Sequence, residues 1–349
     1  MSNYDQFAAA VKEISGGKNI VLLDDLGLPS VYVPINKLKN SEIISGGSEN
    51  THPAFSVDGV EKSRFLYSKY QNIVINGRAY SLSHRDPKTY VNFDQARQAC
   101  EAKGAGFHLG TLAEWAAVAL LTRKMGTMPH GNNNYGGDSA YTYEKGQESA
   151  KDNNKTGRTF TGSGPATWGH DHTQFGIQDM NGNVWEWLGG MRLNEGEIQI
   201  IPYNNAALGS ECDMSPSSTL WKAIKNDGSL VAPGTAATLK YDFVSGNIQL
   251  TTGITSAQDA GRGGSYTAMT LASGVTAPEL AKALILYPDE PGKDYGGDYH
   301  WMNNAGERLP LAGGYWYDGA NAGAFNLSLN RARSYSSGGF GFRSAYVEL

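Results

Sequence analysis

Cysteine is nearly missing from this chain: Cys100 and Cys212 are the two in 349 residues. Two cannot build a disulfide framework, and their separation is not that of a metal-binding pair. They form either one bridge or two buried thiols, the second being the simpler reading. Charge is sparse as well, at 18% of residues against ~25% in an average protein. Lys and Arg nowhere cluster and the net charge is −5, which excludes nonspecific nucleic-acid binding. Long apolar runs are also lacking. The most apolar stretch, 112–121, is interrupted by Glu114 and followed by Arg123 and Lys124, so no membrane insertion is expected. Residues 1–20 include Asp5, Lys12 and Glu13 and no apolar core segment, so no signal peptide is expected.

What the chain has is glycine and aromatics: 44 Gly, 19 Tyr and 7 Trp. That much glycine excludes a helical bundle, while the aromatic load excludes a disordered chain. A folded, loop-rich protein of one or two domains is expected. Phe7, Val11 and Ile14 share a face of a short helix over residues 4–14. NIVLL and SVYVPI flank a DLGLP turn as a hairpin, with Pro34 near an edge. The polar stretch 40–50 then reads as a linker, making 1–50 a small N-terminal module and 51–349 the main domain. Asn76-Gly77 marks a hairpin with a type I′ turn over residues 71–82. Two capped helices follow: Asn92 and Gln95 open one that stops at Gly104. Thr111 and Glu114 open another that runs to Gly126. Beyond it, short strands and glycine-rich loops dominate, which makes the fold class α+β.

Residues 176–187 read GIQDMNGNVWEW. Asn181-Gly182-Asn183 is a tight turn, and Val184, Trp185 and Trp187 suit a core strand. Asp179 and Glu186 flank a turn rich in free carbonyls. That pattern suits a hard cation, and equally suits acids that cap backbone amides. Together with the earlier LGTLAEW and the later GGYW, ARS and GFRSA, this segment resembles the formylglycine-generating-enzyme branch of the C-type lectin fold, over roughly 60–349. The resemblance implies a structural calcium ion held by Asp179 and Glu186 side chains and by Gly182 and Val184 carbonyls. Residues 190–312 exceed the family's usual spacing and read as an insertion in the fold. A hairpin at 239–252 and a short helix near 277–286 are expected within it.

The family enzyme works through two cysteines after its GG-x-[WY] motif, because thiolates must hold copper and exchange with substrate. Here those positions hold Asp318 and Gly323, and no cysteine follows Cys212. A related group of iron oxygenases uses histidines. His170 and His172 lack an assignable third ligand and read as surface residues. No redox cofactor is expected.

The last segment, GGYWYDGANAGAFNLSLNRARSYSSGGFGFRSAYVEL, resembles the variable region of diversity-generating retroelement variable proteins. That framework survives as Trp316, Gly319, Ala322-Gly323, Phe325, Leu327, Leu329, Ala332-Arg333-Ser334 and Gly341-Phe342-Arg343. The intervening positions are Tyr315, Tyr317, Asp318, Asn321, Asn326, Ser328, Asn330, Arg331, Tyr335, Ser337, Gly338 and Gly339. All hold residues reachable from an AAY codon by changing its adenines. Tyr, Ser, Asn and Gly with an Arg are also the palette of antibody paratopes. Alternation along AFNLSLNRA puts Phe325, Leu327 and Leu329 on a core face, with Asn326, Ser328 and Asn330 on a displayed face. The expectation is a ligand-binding module whose variable region is 313–343. Its partner would be a protein or glycan on a host or target cell, met from a phage tail or a cell surface. A homo-oligomer is left open. The rival reading is an oxidase or iron oxygenase; a calcium-dependent sugar-binding lectin is disfavoured because EPN, QPD and WND signatures are missing.

Overall fold

Local elements form where the sequence sets their caps, in a computed structural model that describes residues 3–349. Phe93–Glu101 is a helix whose Asn92 side chain accepts the Gln95 amide while Gln95 accepts the Asn92 amide. Leu112–Met125 is closed in the same way by Thr111 and Glu114, and ends on Gly126 in the left-handed conformation. Asn76 and Gly77, both at positive φ, turn the Ile73–Ile75 strand back into Arg78–Tyr80. A further helix spans Asn3–Ile14. The Leu112–Met125 helix is apolar around most of its circumference, so it belongs inside. Trp115, Ala116, Ala117, Val118, Ala119 and Leu120 are all buried.

One sheet has five strands, in the order Ile20–Leu23, Pro29–Asn36, Arg64–Ser68, Ser344–Tyr346 and Phe107–Leu109. The boundary expected after residue 50 therefore does not separate two modules. Pro29–Asn36 pairs with Arg64–Ser68 along five residue pairs. An isolated hairpin cannot bury an apolar face, and Tyr32, Val33 and Ile35 are buried as part of this larger sheet. Pro34 does lie where one side of its strand is open, because Ile20–Leu23 reaches only as far as Tyr32. The Asn3–Ile14 helix keeps Phe7 and Ile14 exposed.

The larger sheet carries Gly323–Arg331 in its interior, parallel to Tyr299–Met302 and antiparallel to Glu307–Gly313. From there it continues through Met191–Asn194, Glu197–Ile200, Lys240–Val244 and Asn247–Thr251. The span 190–312 thus builds the same sheet as the C-terminal segment. It contains a hairpin, Lys240–Val244 with Asn247–Thr251, and a short helix, Glu279–Ala283. Trp185–Trp187 pairs with both Glu307–Gly313 and Phe340–Phe342, which sets the GIQDMNGNVWEW segment beside the C-terminal one. Cys100 and Cys212 are free and buried, and burial raises both thiol pKa values, that of Cys212 to about 11.

A candidate ligand-binding face and the loop beside it

The C-terminal segment divides by burial. Trp316, Ala322, Phe325, Leu327, Leu329 and Phe342 are all buried. Phe325 packs on Tyr266 and Tyr295 with ring centroids 5.6 and 5.0 Å away, and the Trp115 indole donates to the Ala324 carbonyl at 2.7 Å. Above this floor Tyr317 is 49% and Tyr335 39% exposed. Asn321 is also exposed, while Tyr315, Asp318, Asn330, Arg331, Ser337 and Gly338 are half-buried.

Asn326 and Ser328, expected on a displayed face, are buried instead, and so is Gly339. The reason is position in the sheet. Gly323–Arg331 has a neighbour on both sides, and Trp301 lies in register beside Ser328. Side chains in register share a face, so the large ring of Trp301, with Tyr299 4.7 Å from it, lies on the same face of the sheet as the short Ser328 and Asn326 side chains. The Asn326 side-chain amide donates to the Asn321 carbonyl at 2.5 Å, its oxygen has no partner among the described residues, and Ser328 donates to Asn330 at 2.8 Å. Alternation alone identified the two faces without showing what covers the second.

The exposed positions are aromatic and tied to other parts of the chain. Tyr315 and Tyr317 rings are 4.2 Å apart, and Tyr135 stacks on Tyr317 at 6.1 Å. The Tyr135 amide donates to the Trp316 carbonyl, and Lys155 Nζ sits 4.2 Å above the Tyr135 ring. The Arg331 guanidinium covers the Tyr335 ring at 4.5 Å. Tyr90, 70% exposed, joins through its amide to the Ser337 carbonyl. Sequence reasoning missed Tyr90, Tyr135, Lys155, Tyr299 and Trp301, because nothing local marks them; only the folded chain brings them here. Such amphipathic rings with few rotors, mixed with small polar groups and an Arg, are chemistry suited to binding a surface. Asp318 accepts the Tyr315 amide at 3.0 Å, yet burial pushes its carboxyl up to about 7. Gly323 lies so close to the buried Asp298 carboxyl that a Cβ would collide with it. Asp298 in turn accepts the Phe325 amide at 2.6 Å.

Beside this face lies the 179–186 loop, entered and left through left-handed backbone at Asp179 and Asn183. At Gly182 a Cβ would strike the Asn132 carbonyl, which explains the glycine. The residues expected to hold calcium are brought together: the carbonyls of Asp179, Gly182 and Val184 and Oε1 of Glu186 converge on one point. That point is Nε2 of Gln71, at 3.2, 3.5, 3.1 and 3.0 Å respectively. Arg343 meanwhile forks onto Glu186, Nε to Oε2 and Nη2 to Oε1, each at 2.5 Å, fully buried. Asp179 turns away, Oδ2 accepting the Gly162 amide at 3.0 Å while Oδ1 has no hydrogen-bond partner among the described residues. Burial pushes the Asp179 carboxyl up to about 6. A calcium ion does not fit this arrangement: its place is filled by a hydrogen-bond donor, and its carboxylate is already paired with a cation.

His170 is not a surface residue. It is buried, its Nδ1 accepts the Ile177 amide at 2.9 Å, and burial pushes its pKa down to about 4. His172 points its Nε2 at the Met128 carbonyl at 2.9 Å. Both rings are engaged with backbone. Among the described residues no three His, Cys, Asp or Glu side chains gather as a metal-binding group.

The sequence matches the family described as "Sulfatase-modifying factor enzyme 1-like domain" over residues 39–269. Solved structures similar to it include Treponema denticola variable protein 1, at 13% identity and a TM-score of 0.35, covering 94% of this chain and 98% of that one. The Major Tropism Determinant U1 variant is 11% identical with a TM-score of 0.31, covering 90% and 62%. The P3c variant is 10% identical with a TM-score of 0.32, covering 94% and 71%. No curated protein sequence matches.

Proposed function

The chain belongs to the sulfatase-modifying factor enzyme 1-like family and has a C-type lectin fold, and from that premise we propose that it is a ligand-binding protein rather than an enzyme. Its segment 313–343 is a surface diversified by a retroelement. The ligand is a protein or glycan on a host or target cell, and the protein meets it from a phage tail or a cell surface. One observation carries this reading: exposed Tyr317 and Tyr335, with half-buried Tyr315 and Arg331, are interleaved in sequence with the buried framework Trp316, Phe325, Leu327, Leu329 and Phe342. A surface built this way can change composition while its floor stays fixed, and specificity follows the contacts that change.

The genome supplies the deciding test. A near-copy of the codons for 313–343 beside a reverse transcriptase gene, differing only at adenines, is the expected finding; its absence would remove the retroelement from the reading. Binding is tested with a displayed library randomised at Tyr315, Tyr317, Asp318, Asn330, Arg331 and Tyr335. Folded clones with new partners are expected, and a library yielding none would refute the display role. The family's description names an enzyme, which favours a second reading, the oxidase that the resemblance to the formylglycine-generating branch implies. Against it, Asp318 and Gly323 stand where that chemistry needs thiols. Protein that retains stoichiometric copper or iron and consumes oxygen with a thiol substrate would establish the oxidase.

A further inference from the structure

We propose that the 179–186 loop is closed by this chain's own Gln71 and Arg343 in place of a metal ion, so that the fold is independent of calcium. The orientation of the Gln71 amide is set by a donor whose identity is fixed. The Thr159 backbone N–H donates to Asn183 Oδ1 at 2.8 Å, so the other end of that amide, Nδ2, faces Gln71 Oε1, also at 2.8 Å. Gln71 therefore turns its own NH₂ toward the loop, and cannot offer an oxygen there. That nitrogen reaches three backbone carbonyls and one carboxylate oxygen, the kind of oxygen set that surrounds a hard cation.

Arg343 supplies the charge. Besides the fork onto Glu186, its Nη2 donates to the Gln178 carbonyl at 3.1 Å and the Asp179 carbonyl at 3.4 Å. Nη1 donates to the Ser68 carbonyl at 3.2 Å. One fixed cation thus balances Glu186, and its fork also binds both ends of the loop and the five-stranded sheet. A bidentate Arg–carboxylate pair with its remaining donors satisfied is the arrangement in which a buried ion pair repays its desolvation. A divalent ion added here would bring two positive charges beside a buried guanidinium, a cost the loop does not have to meet.

The full chain tests this by thermal melting and elemental analysis. Wild type, dialysed against chelator, is expected to melt at the same temperature with chelator or with millimolar calcium, and to hold substoichiometric calcium. Gln71→Glu replaces the donor by a carboxylate, which the four oxygens repel from their point of convergence and which, drawn back, becomes a fifth oxygen ligand to an ion placed there. It is expected to melt lower than wild type in chelator and to regain stability when calcium is added, because binding to the native state alone stabilises it. A wild-type melting point that falls in chelator and recovers with calcium would overturn the proposal, as would one tightly held calcium per chain. A folded Gln71→Glu variant indifferent to calcium would refute the claim that the amide stands where a cation could. Should that variant fail to fold, the metal content and melting of wild type alone decide the matter.

Discussion

Replacing Phe325 by Ala tests the separation between floor and display. Phe325 is fully buried, with Tyr266 stacked at 5.6 Å and Tyr295 edge-on at 5.0 Å. Those rings are themselves held, Tyr295 donating to Asp289 at 2.5 Å and Tyr266 stacked on His300 at 4.4 Å. The site therefore cannot collapse onto the space left behind, and the cost should lie at about 3–5 kcal/mol, the range for truncating a buried phenylalanine to alanine. Phe342→Ala, also fully buried, should behave alike. Tyr317→Ser and Tyr335→Ser remove rings that are 49% and 39% exposed; the first lies against Tyr135 and Tyr315, the second against Arg331 and one edge of the cluster at Phe340. Each should cost below about 1 kcal/mol, as surface changes do. Urea denaturation followed by tryptophan fluorescence measures all four. Tyrosine changes as costly as the phenylalanine changes would refute the division, since the exposed rings would then be part of the fold.

Other outcomes follow from the same geometry. Among folded clones of a library randomised across 315–339, sequencing should show positions 326 and 328 restricted to small residues while 317 and 335 vary freely, because Asn326 and Ser328 are buried in an interior strand with a neighbour on each side. Asp318 has a higher pKa folded, about 7, than its ordinary 3.8. Its contribution to stability is therefore full below 3.8 and lost as pH rises through about 7. Melting of Asp318→Asn should accordingly exceed wild type by a margin that widens from pH 4 to pH 8, and a margin that does not change with pH would contradict this. Trp115→Phe strands the Ala324 carbonyl and also leaves a gap where the rest of the buried indole stood, so its cost in the same denaturation assay should exceed the about 1–3 kcal/mol of the unpaired carbonyl alone.

What could be read from the sequence was local. The Asn92/Gln95 and Thr111/Glu114 boxes and the Asn76-Gly77 turn each depend on residues within three or four positions, and each formed as its chemistry requires. The apolar alternation Phe325, Leu327, Leu329 also found the core face correctly. Failures came where distant chain decides burial. Nothing near Asn326 announces that Tyr299 and Trp301 will stand on its face. Nothing near His170 shows that Thr127, just after the Leu112–Met125 helix, will donate to its carbonyl. The first hairpin looked separable because the polar stretch after it resembles a linker, yet its partner strand begins only at Arg64. The loop at 179–186 shows the same limit in its sharpest form. Its acids suited either a cation or a capped turn, and the residue that decides, Gln71, lies in a different part of the chain.

These two parts of the molecule explain one another. A surface free to vary needs its ends held by something that does not vary with it. At the start of the segment, the Gly182 amide donates to the Gly313 carbonyl at 2.9 Å. At its end, the Asn72 amide donates to the Phe342 carbonyl at 3.0 Å, Arg343 grips Glu186, and Ser344 enters the five-stranded sheet. Midway, Arg333 pairs with Glu307 and Asp94, both outside the segment. None of these anchors uses Tyr317, Tyr335, Asn321 or Arg331. Because residues that share no partners contribute almost independently to stability, exchanging those four leaves the anchors' energy intact. The 179–186 loop is one of the anchors. Closing it with Arg343, which lies in the framework at the end of the segment, joins that segment to the core through a charge that travels with the chain.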